Sequence, residues 1–262
     1  MSDNGTVVSV KDVTKIFGQG EANQVIALED ITFDVQSGEF ISLIGPSGCG
    51  KSTLLRLIGD LIPPSHGAII VNGKNAHQAR LDRDYGMVFQ APVLYDWRSV
   101  AANVQLPLEL MGYGRQERAA RAQEMLELVE LGEFGRHYPW QLSGGMQQRV
   151  SIARALAFEP AILLMDEPFG ALDEMTRERM NMEIHDIWRQ TGTTVLFVTH
   201  SILEAVFLST RVIVMSARPG RIAEEILIDL PIPRTIDTRE DPRYFDYATQ
   251  VREALRKHEA GV

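Results

Sequence analysis

Cysteine is nearly absent: the 262-residue chain holds one, Cys49, which excludes an internal disulfide and any zinc site built on several cysteines. Long apolar runs are missing too. The most apolar window, Thr193 to Met215, is broken by His200, Glu204 and Arg211, so it reads as strand, helix and strand rather than a membrane span. Positive charge is in deficit. Lys plus Arg number 26 against 35 Asp plus Glu, a net charge of −9, which argues against a surface built to wrap nucleic acid. Met1 to Gly5 lack the basic, apolar and small-residue order of a secretion signal. These absences point to a reduced, intracellular, soluble protein. With 45% apolar and 23% charged residues the chain is globular rather than disordered. Its length suits one large α/β domain, or a core with a smaller subdomain.

Strand-like runs open the chain at Val7–Val10 and Ile31–Val35, and Phe40–Ile44 leads into a glycine-rich turn followed by a helix from Ser52 to Ile58. Ala68–Val71 with Asn72-Gly73 predicts a strand entering a hairpin, and Tyr85–Phe89 predicts another strand. From Pro92 to Trp140 almost nothing reads as strand. Arg115–Leu131 is helical, with Ala119, Ala122, Leu126 and Val129 on one face. This stretch is expected to be a helical insertion. Continuous apolar runs return at Ala161–Met165, Val195–Val198 and Val212–Met215, as parallel strands buried on both faces require. Pro219, Pro231, Pro233 and Pro242 predict an extended tail before a final short helix.

Gly45-Pro46-Ser47-Gly48-Cys49-Gly50-Lys51-Ser52 fits G-x-x-x-x-G-K-[ST] between a strand and a helix. Glycines let backbone N–H groups converge on phosphate oxygens, and the helix start adds partial positive charge. Lys51 supplies a point charge for the β- and γ-phosphates, and Ser52 a hydroxyl for Mg²⁺. Cys49 fills a free position of the motif. The run Ile162–Met165 ends in Asp166-Glu167, carboxylates at the C-terminal edge of a buried strand, where open α/β sheets place ligands. Asp166 suits Mg²⁺, and Glu167 suits a general base for water.

Leu142-Ser143-Gly144-Gly145-Met146-Gln147-Gln148-Arg149 is a helix start with a hydroxyl and two glycine N–H groups, a second anion site; Met146, Val150, Ala153 and Ala157 follow at helical spacing to bury that helix. With this string the chain resembles the ATP-binding subunits of ABC transporters over nearly its whole length. The resemblance extends to Gln90 (Q-loop), Asp173 in Gly170-Ala171-Leu172-Asp173 (D-loop), His200 (switch histidine) and Phe17, where the family stacks an aromatic on adenine. It implies a P-loop NTPase core, a mixed and mainly parallel sheet with an antiparallel N-terminal β part, and an inserted helical subdomain. The expected divisions are 1–92 and 143–215 for the core, 93–142 for the helical subdomain and 216–262 for a C-terminal extension.

The resemblance implies ATP and Mg²⁺ as ligands, with Glu167, His200 and Gln90 catalytic and Ser52, Gln90 and Asp166 at the metal. Nucleotide contacts are expected from Phe17, Gly45, Pro46, Ser47, Gly48, Cys49, Gly50, Lys51, Ser52 and Thr53. Ser143, Gly144, Gly145 and Asp173 are expected on the opposing subunit's nucleotide. Two chains, a homodimer or a pair of homologues, would sandwich ATP and move a membrane permease. That places the chain peripherally at the cytoplasmic face of the inner membrane, served by a periplasmic solute-binding protein. Leu94, Tyr95, Trp97, Val100, Leu106 and Leu110 are the expected permease contacts. Ser216-Ala217-Arg218-Pro219-Gly220-Arg221-Ile222 looks like the nitrate, sulfonate and taurine importer group, and Tyr95–Arg98 like pyrimidine-precursor relatives. Ser201 and Thr210 depart from the acidic residues common in the family, which leaves the details of switch coupling open. The rival readings are an exporter ATPase and a soluble ABC ATPase of nucleic-acid metabolism. The remaining histidines, 66, 77, 137, 185 and 258, match no motif and read as surface or packing residues.

Overall fold

Apolar residues at every position of a strand bury both its faces, and that pattern dictates the layering here. In the computed structural model, which describes residues 5–20 and 23–259, the chain begins with β1 (Thr6–Phe17), β2 (Val25–Gln36), β3 (Phe40–Ile44) and α1 (Lys51–Ile58). Next come β4 (His66–Val71), β5 (Lys74–Asn75), α2 (Ala76–Asp82), β6 (Tyr85–Val88), α3 (Val100–Leu110) and α4 (Arg115–Leu128). The chain continues through α5 (Gly144–Leu156), β7 (Ile162–Asp166), α6 (Glu174–Thr191), β8 (Thr194–Val198) and α7 (Ile202–Leu208). It ends with β9 (Arg211–Met215), β10 (Ile222–Leu227) and α8 (Pro242–Glu259). Of the stretch Met1 to Gly5 on which the secretion-signal expectation rests, residues 1–4 lie outside the described residues.

Six strands form a sheet in the order β10-β9-β3-β8-β7-β6, and β2-β1-β4-β5 form a second. The larger sheet is parallel except where β10 joins β9; the smaller is antiparallel throughout. This is the mixed architecture expected. Phe40, Leu163, Met165, Val195, Phe197 and Val212 face the helical layer, while Ile41, Leu164, Leu196, Val198 and Ile213 face α1 and the antiparallel sheet. Each fully buried side chain of this kind contributes about 1.5–3 kcal/mol. The polar exception in β3, Ser42, is satisfied by the Ser209 hydroxyl at 2.6 Å.

Among the described residues no strand lies between β6 and β7. Val104, Leu108, Ala122, Leu126 and Val150 from α3, α4 and α5 join the apolar cluster that covers the large sheet. Ala153 and Ala157 are buried as expected, and Met146 packs against the same cluster.

Three expectations need correction. Ala119 is exposed, and Met125 completes the buried face with Ala122, Leu126 and Val129. Val100 is fully buried and starts α3, so it is core rather than a permease contact; Leu94 is also packed against the core. The terminal helix is not short. Ile222–Leu227 first adds an antiparallel strand to the large sheet, and α8 then runs for 18 residues. Tyr244, Ala248, Val251 and Ala254 recur at helical spacing and bury into the main cluster, while Pro242 starts the helix, where its missing N–H costs nothing. No helix among the described residues is long and apolar enough to cross a membrane.

Candidate functional site

The loop 45–50 leaves the end of β3 and opens α1. Gly50 has φ +100°, and a Cβ there would meet a Leu28 methyl at 2.5 Å, so the turn admits only glycine. Lys51 is buried. Its Nζ donates to the Gly45 carbonyl at 2.8 Å and the Pro46 carbonyl at 3.1 Å, which keeps a desolvated ammonium satisfied. Cys49 is buried beside it with its Sγ 3.7 Å from Nζ, and burial pushes the thiol pKa up.

β7 ends beside this loop. The Ser52 hydroxyl donates to Asp166 Oδ1 at 2.7 Å across 114 residues of sequence. Glu167, the next residue, has φ +48°, a left-handed conformation that costs a non-glycine residue of order 1 kcal/mol or more and clusters at functional sites. Its N–H is held by the Val198 carbonyl at 3.1 Å at the end of β8. Its carboxylate meets His200 Nε2 at 2.5 Å, and the imidazole is half exposed.

Phe17, Ser47, Gly48, Gly50, Lys51, Ser52, Thr53, Glu167 and His200 line one cavity of about 430 Å³. Phe17 sits at its mouth, 44% exposed, with the Lys15 ammonium 5.1 Å from its ring. A second cavity of about 260 Å³ is also lined by Glu167 and His200, and by Gln90. Gly170 lies beside both: a Cβ there would stand 3.2 Å from Gln90 Nε2 and 3.8 Å from Glu167 Oε2. Gly45, Pro46 and Cys49 do not line the larger cavity, and Asp166 stands behind Ser52.

The remaining expected residues lie elsewhere. Ser143 caps α5, its hydroxyl accepting the Met146 N–H at 3.3 Å, and Ser143 and Gly144 are exposed. Asp173 caps α6 through the Thr176 N–H at 3.0 Å, which with its neighbours holds the carboxyl below its usual pKa. Gly145 packs on Thr176, where a Cβ would stand 3.0 Å from its methyl. None of Ser143, Gly144, Gly145 or Asp173 lines either cavity.

Both departures from the family pattern have local roles. Ser201 caps α7 by accepting the Glu204 N–H at 3.3 Å, and Thr210 accepts the Phe40 N–H at 3.2 Å. Behind His200, the Thr199 hydroxyl donates to buried Glu204, whose pKa burial raises. Sequence reasoning missed Val25, Ala27 and Arg218 as lining residues of the larger cavity. Only Arg218 carried a signal, in the segment Ser216–Ile222.

Among the described residues no three His, Cys, Asp or Glu side chains gather as a metal cage. The Ser52–Asp166 pair nonetheless offers hard oxygens, which fits Mg²⁺, a cation that keeps several of its waters.

Residues 28–170 match the ABC transporter family. The chain is 44% identical over 258 residues to the nitrate import ATP-binding protein NrtD of Synechocystis sp., covering 96% of each chain. It is 45% identical over 258 residues to the taurine import ATP-binding protein TauB of Rhizobium johnstonii, covering 97% of this chain and 98% of that one. A solved dimeric structure of the bacterial ABC transporter cassette MJ0796 superposes with a TM-score of 0.73 at 38% identity, over 84% of this chain and 98% of that chain.

Proposed function

The chain belongs to the ABC transporter family, and from that premise we propose how its residues divide the work. It is an ATP-binding and ATP-hydrolysing subunit of an importer, acting as a dimer on a membrane permease. The observation that carries the residue assignment is the convergence of Lys51, Ser52, Glu167 and His200 on one cavity. In our reading, Lys51 exchanges the carbonyls of Gly45 and Pro46 for the β- and γ-phosphates of ATP, a charge-assisted contact to anionic oxygen. Glu167 takes the proton of the attacking water. His200, in contact with its carboxylate, orients Glu167, and Phe17 stacks on the adenine. Mg²⁺, held by Ser52 and Gln90 with Asp166 behind, would supply charge neutralisation on the phosphate oxygens.

Exposed Ser143 and Gly144 support their role in a second chain's site, and Gly145 adjoins Thr176, whose N–H Asp173 caps. We take that chain to be another copy, and the assembly to lie peripherally at the cytoplasmic membrane face with a periplasmic solute-binding partner. The named relatives import nitrate and taurine, which supports a small solute of the nitrate, sulfonate or taurine type. Trp97 and Leu110, each 73% exposed, remain available to the permease, and Tyr95 packs against Trp97 with ring centroids 4.7 Å apart. Lys51→Ala should weaken ATP binding by roughly tenfold or more, because each charge-assisted phosphate bond contributes about 1.5–3 kcal/mol. A fluorescent-ATP titration checks this, and wild-type affinity in that variant would refute the site.

A further inference from the structure

In the sequence, Ser216–Ile222 stands only as the mark of an importer group; in the fold it lies against the nucleotide loop. Gly220 touches that loop so closely that a Cβ would stand 1.9 Å from the Cys49 carbonyl oxygen. Its N–H donates to the Ala27 carbonyl at 3.1 Å, and its own carbonyl accepts the Glu29 N–H at 3.0 Å. The Arg221 N–H donates to Ser216 Oγ at 3.1 Å, and the Arg221 guanidinium pairs with Glu29 at 2.5 Å. The backbone of this turn is therefore fixed between β2 and the loop 45–50, and its side chains are aimed rather than free.

Arg218 is the side chain so aimed. Its Nε donates to the Gly48 carbonyl at 3.0 Å, and it lines the same cavity as Phe17, Lys51 and Glu167. Gly48, with φ +74°, makes room for it: a Cβ there would lie 2.6 Å from Nη2. Among the described residues the guanidinium makes no other hydrogen bond and pairs with no carboxylate, unlike its neighbour Arg221. A cation held at the wall of a phosphate-binding cavity with its outer N–H groups unclaimed suits an anionic ligand.

We propose that Arg218 is a nucleotide-binding residue, its guanidinium contacting the phosphate chain of ATP and of ADP. The proposal rests on the nucleotide-site reading above. It makes the turn after β9 part of the site.

Arg218→Gln is the informative variant, because a glutamine amide can still donate to the Gly48 carbonyl while the charge is gone. Titration with fluorescent ATP and ADP at low salt should show about tenfold weaker binding of both, and Arg218→Lys should recover part of it. The gap should narrow severalfold when ionic strength rises from about 0.05 M to about 0.5 M, as a partly exposed charge contact demands. The melting temperature without nucleotide should not change. Wild-type affinity in Arg218→Gln would overturn the proposal. So would a loss that ignores salt or comes with a lower melting temperature, since the side chain would then only prop the loop. Lys51→Ala in the same titration separates the two readings. If Lys51→Ala loses affinity and Arg218→Gln does not, the proposal alone fails; if Lys51→Ala binds normally, the nucleotide site fails with it.

Discussion

The two faces proposed above to bind phosphate are finished to different degrees. At the nucleotide loop the polar groups already hold one another: Lys51 on two carbonyls, Ser52 on Asp166, Glu167 on His200. At the start of α5, Ser143 has only its own helix to cap, and Ser143 and Gly144 face outward. One face is a preorganised site with a cavity; the other is a donor set without one. On the proposed reading, a chain that carries both, and brings neither to the other, is half of two sites. The solved neighbour is dimeric, and the contrast gives a physical reason for a dimer.

The contrast breaks most severely at Glu167. Glu167→Gln keeps size and most hydrogen bonding but cannot take the proton of water, so turnover should fall by about 10²–10⁴ while ATP binding survives. Steady-state hydrolysis together with a binding titration checks this, and near-wild-type turnover would remove Glu167 as base. Damage to the other face should look different. Ser143→Arg should leave ATP affinity of the single chain intact yet lower hydrolysis by roughly tenfold or more, because an uncompensated charge in an interface costs several kcal/mol. For the wild type, specific activity should rise with protein concentration. Activity that is flat on dilution to a demonstrated monomer would mean that one chain suffices.

A change placed away from both faces sharpens the comparison with the smallest effect. His185 is fully buried in α6, where its Nε2 accepts the Arg234 N–H at 3.0 Å; burial, then the nearby Arg234 charge, push its pKa down to about 4. The folded pKa lies below the ordinary value of 6.5. Its stabilising contribution is therefore fully present above pH 6.5 and is lost as pH falls towards 4. Between pH 7 and pH 5 the wild type should lose about 2 kcal/mol more stability than His185→Gln. Glu204, whose pKa is raised by burial, acts in the opposite sense, gaining stability as pH falls, but equally in both proteins. Denaturant melts at the two pH values measure the difference, and parallel losses would show that His185 does not titrate this way. ATP affinity at pH 7 should not change.

The central strands and the nucleotide loop were legible because their signals are local: apolar runs of fixed period, and glycines where a Cβ has no room. Asp166 and Glu167 were legible as the end of such a run. The tail was misread. Its prolines suggested an extended chain, yet Tyr244, Ala248, Val251 and Ala254 give α8 an apolar face that packs on the main core. Val100 was misread because an apolar residue at a loop–helix junction looks the same whether it faces a partner or the core; here its N–H bonds the His137 carbonyl at 2.7 Å and its side chain is enclosed. Arg218 stood in a segment with a signal, but its place at the site was not legible, since its partner, Gly48, lies 170 residues away in sequence. Only the folded path of β9 past the loop brings them together.

The central claim is that ATP joins the finished face of one chain to the unfinished face of another. Glu167→Gln tests it most directly, because it should bind ATP without hydrolysing it. Size-exclusion chromatography with light scattering should find this variant as a dimer in MgATP and a monomer in ADP, and adding Ser143→Arg should abolish the dimer while bound ATP persists. An inactive Glu167→Gln chain that stays monomeric with ATP bound would contradict the account.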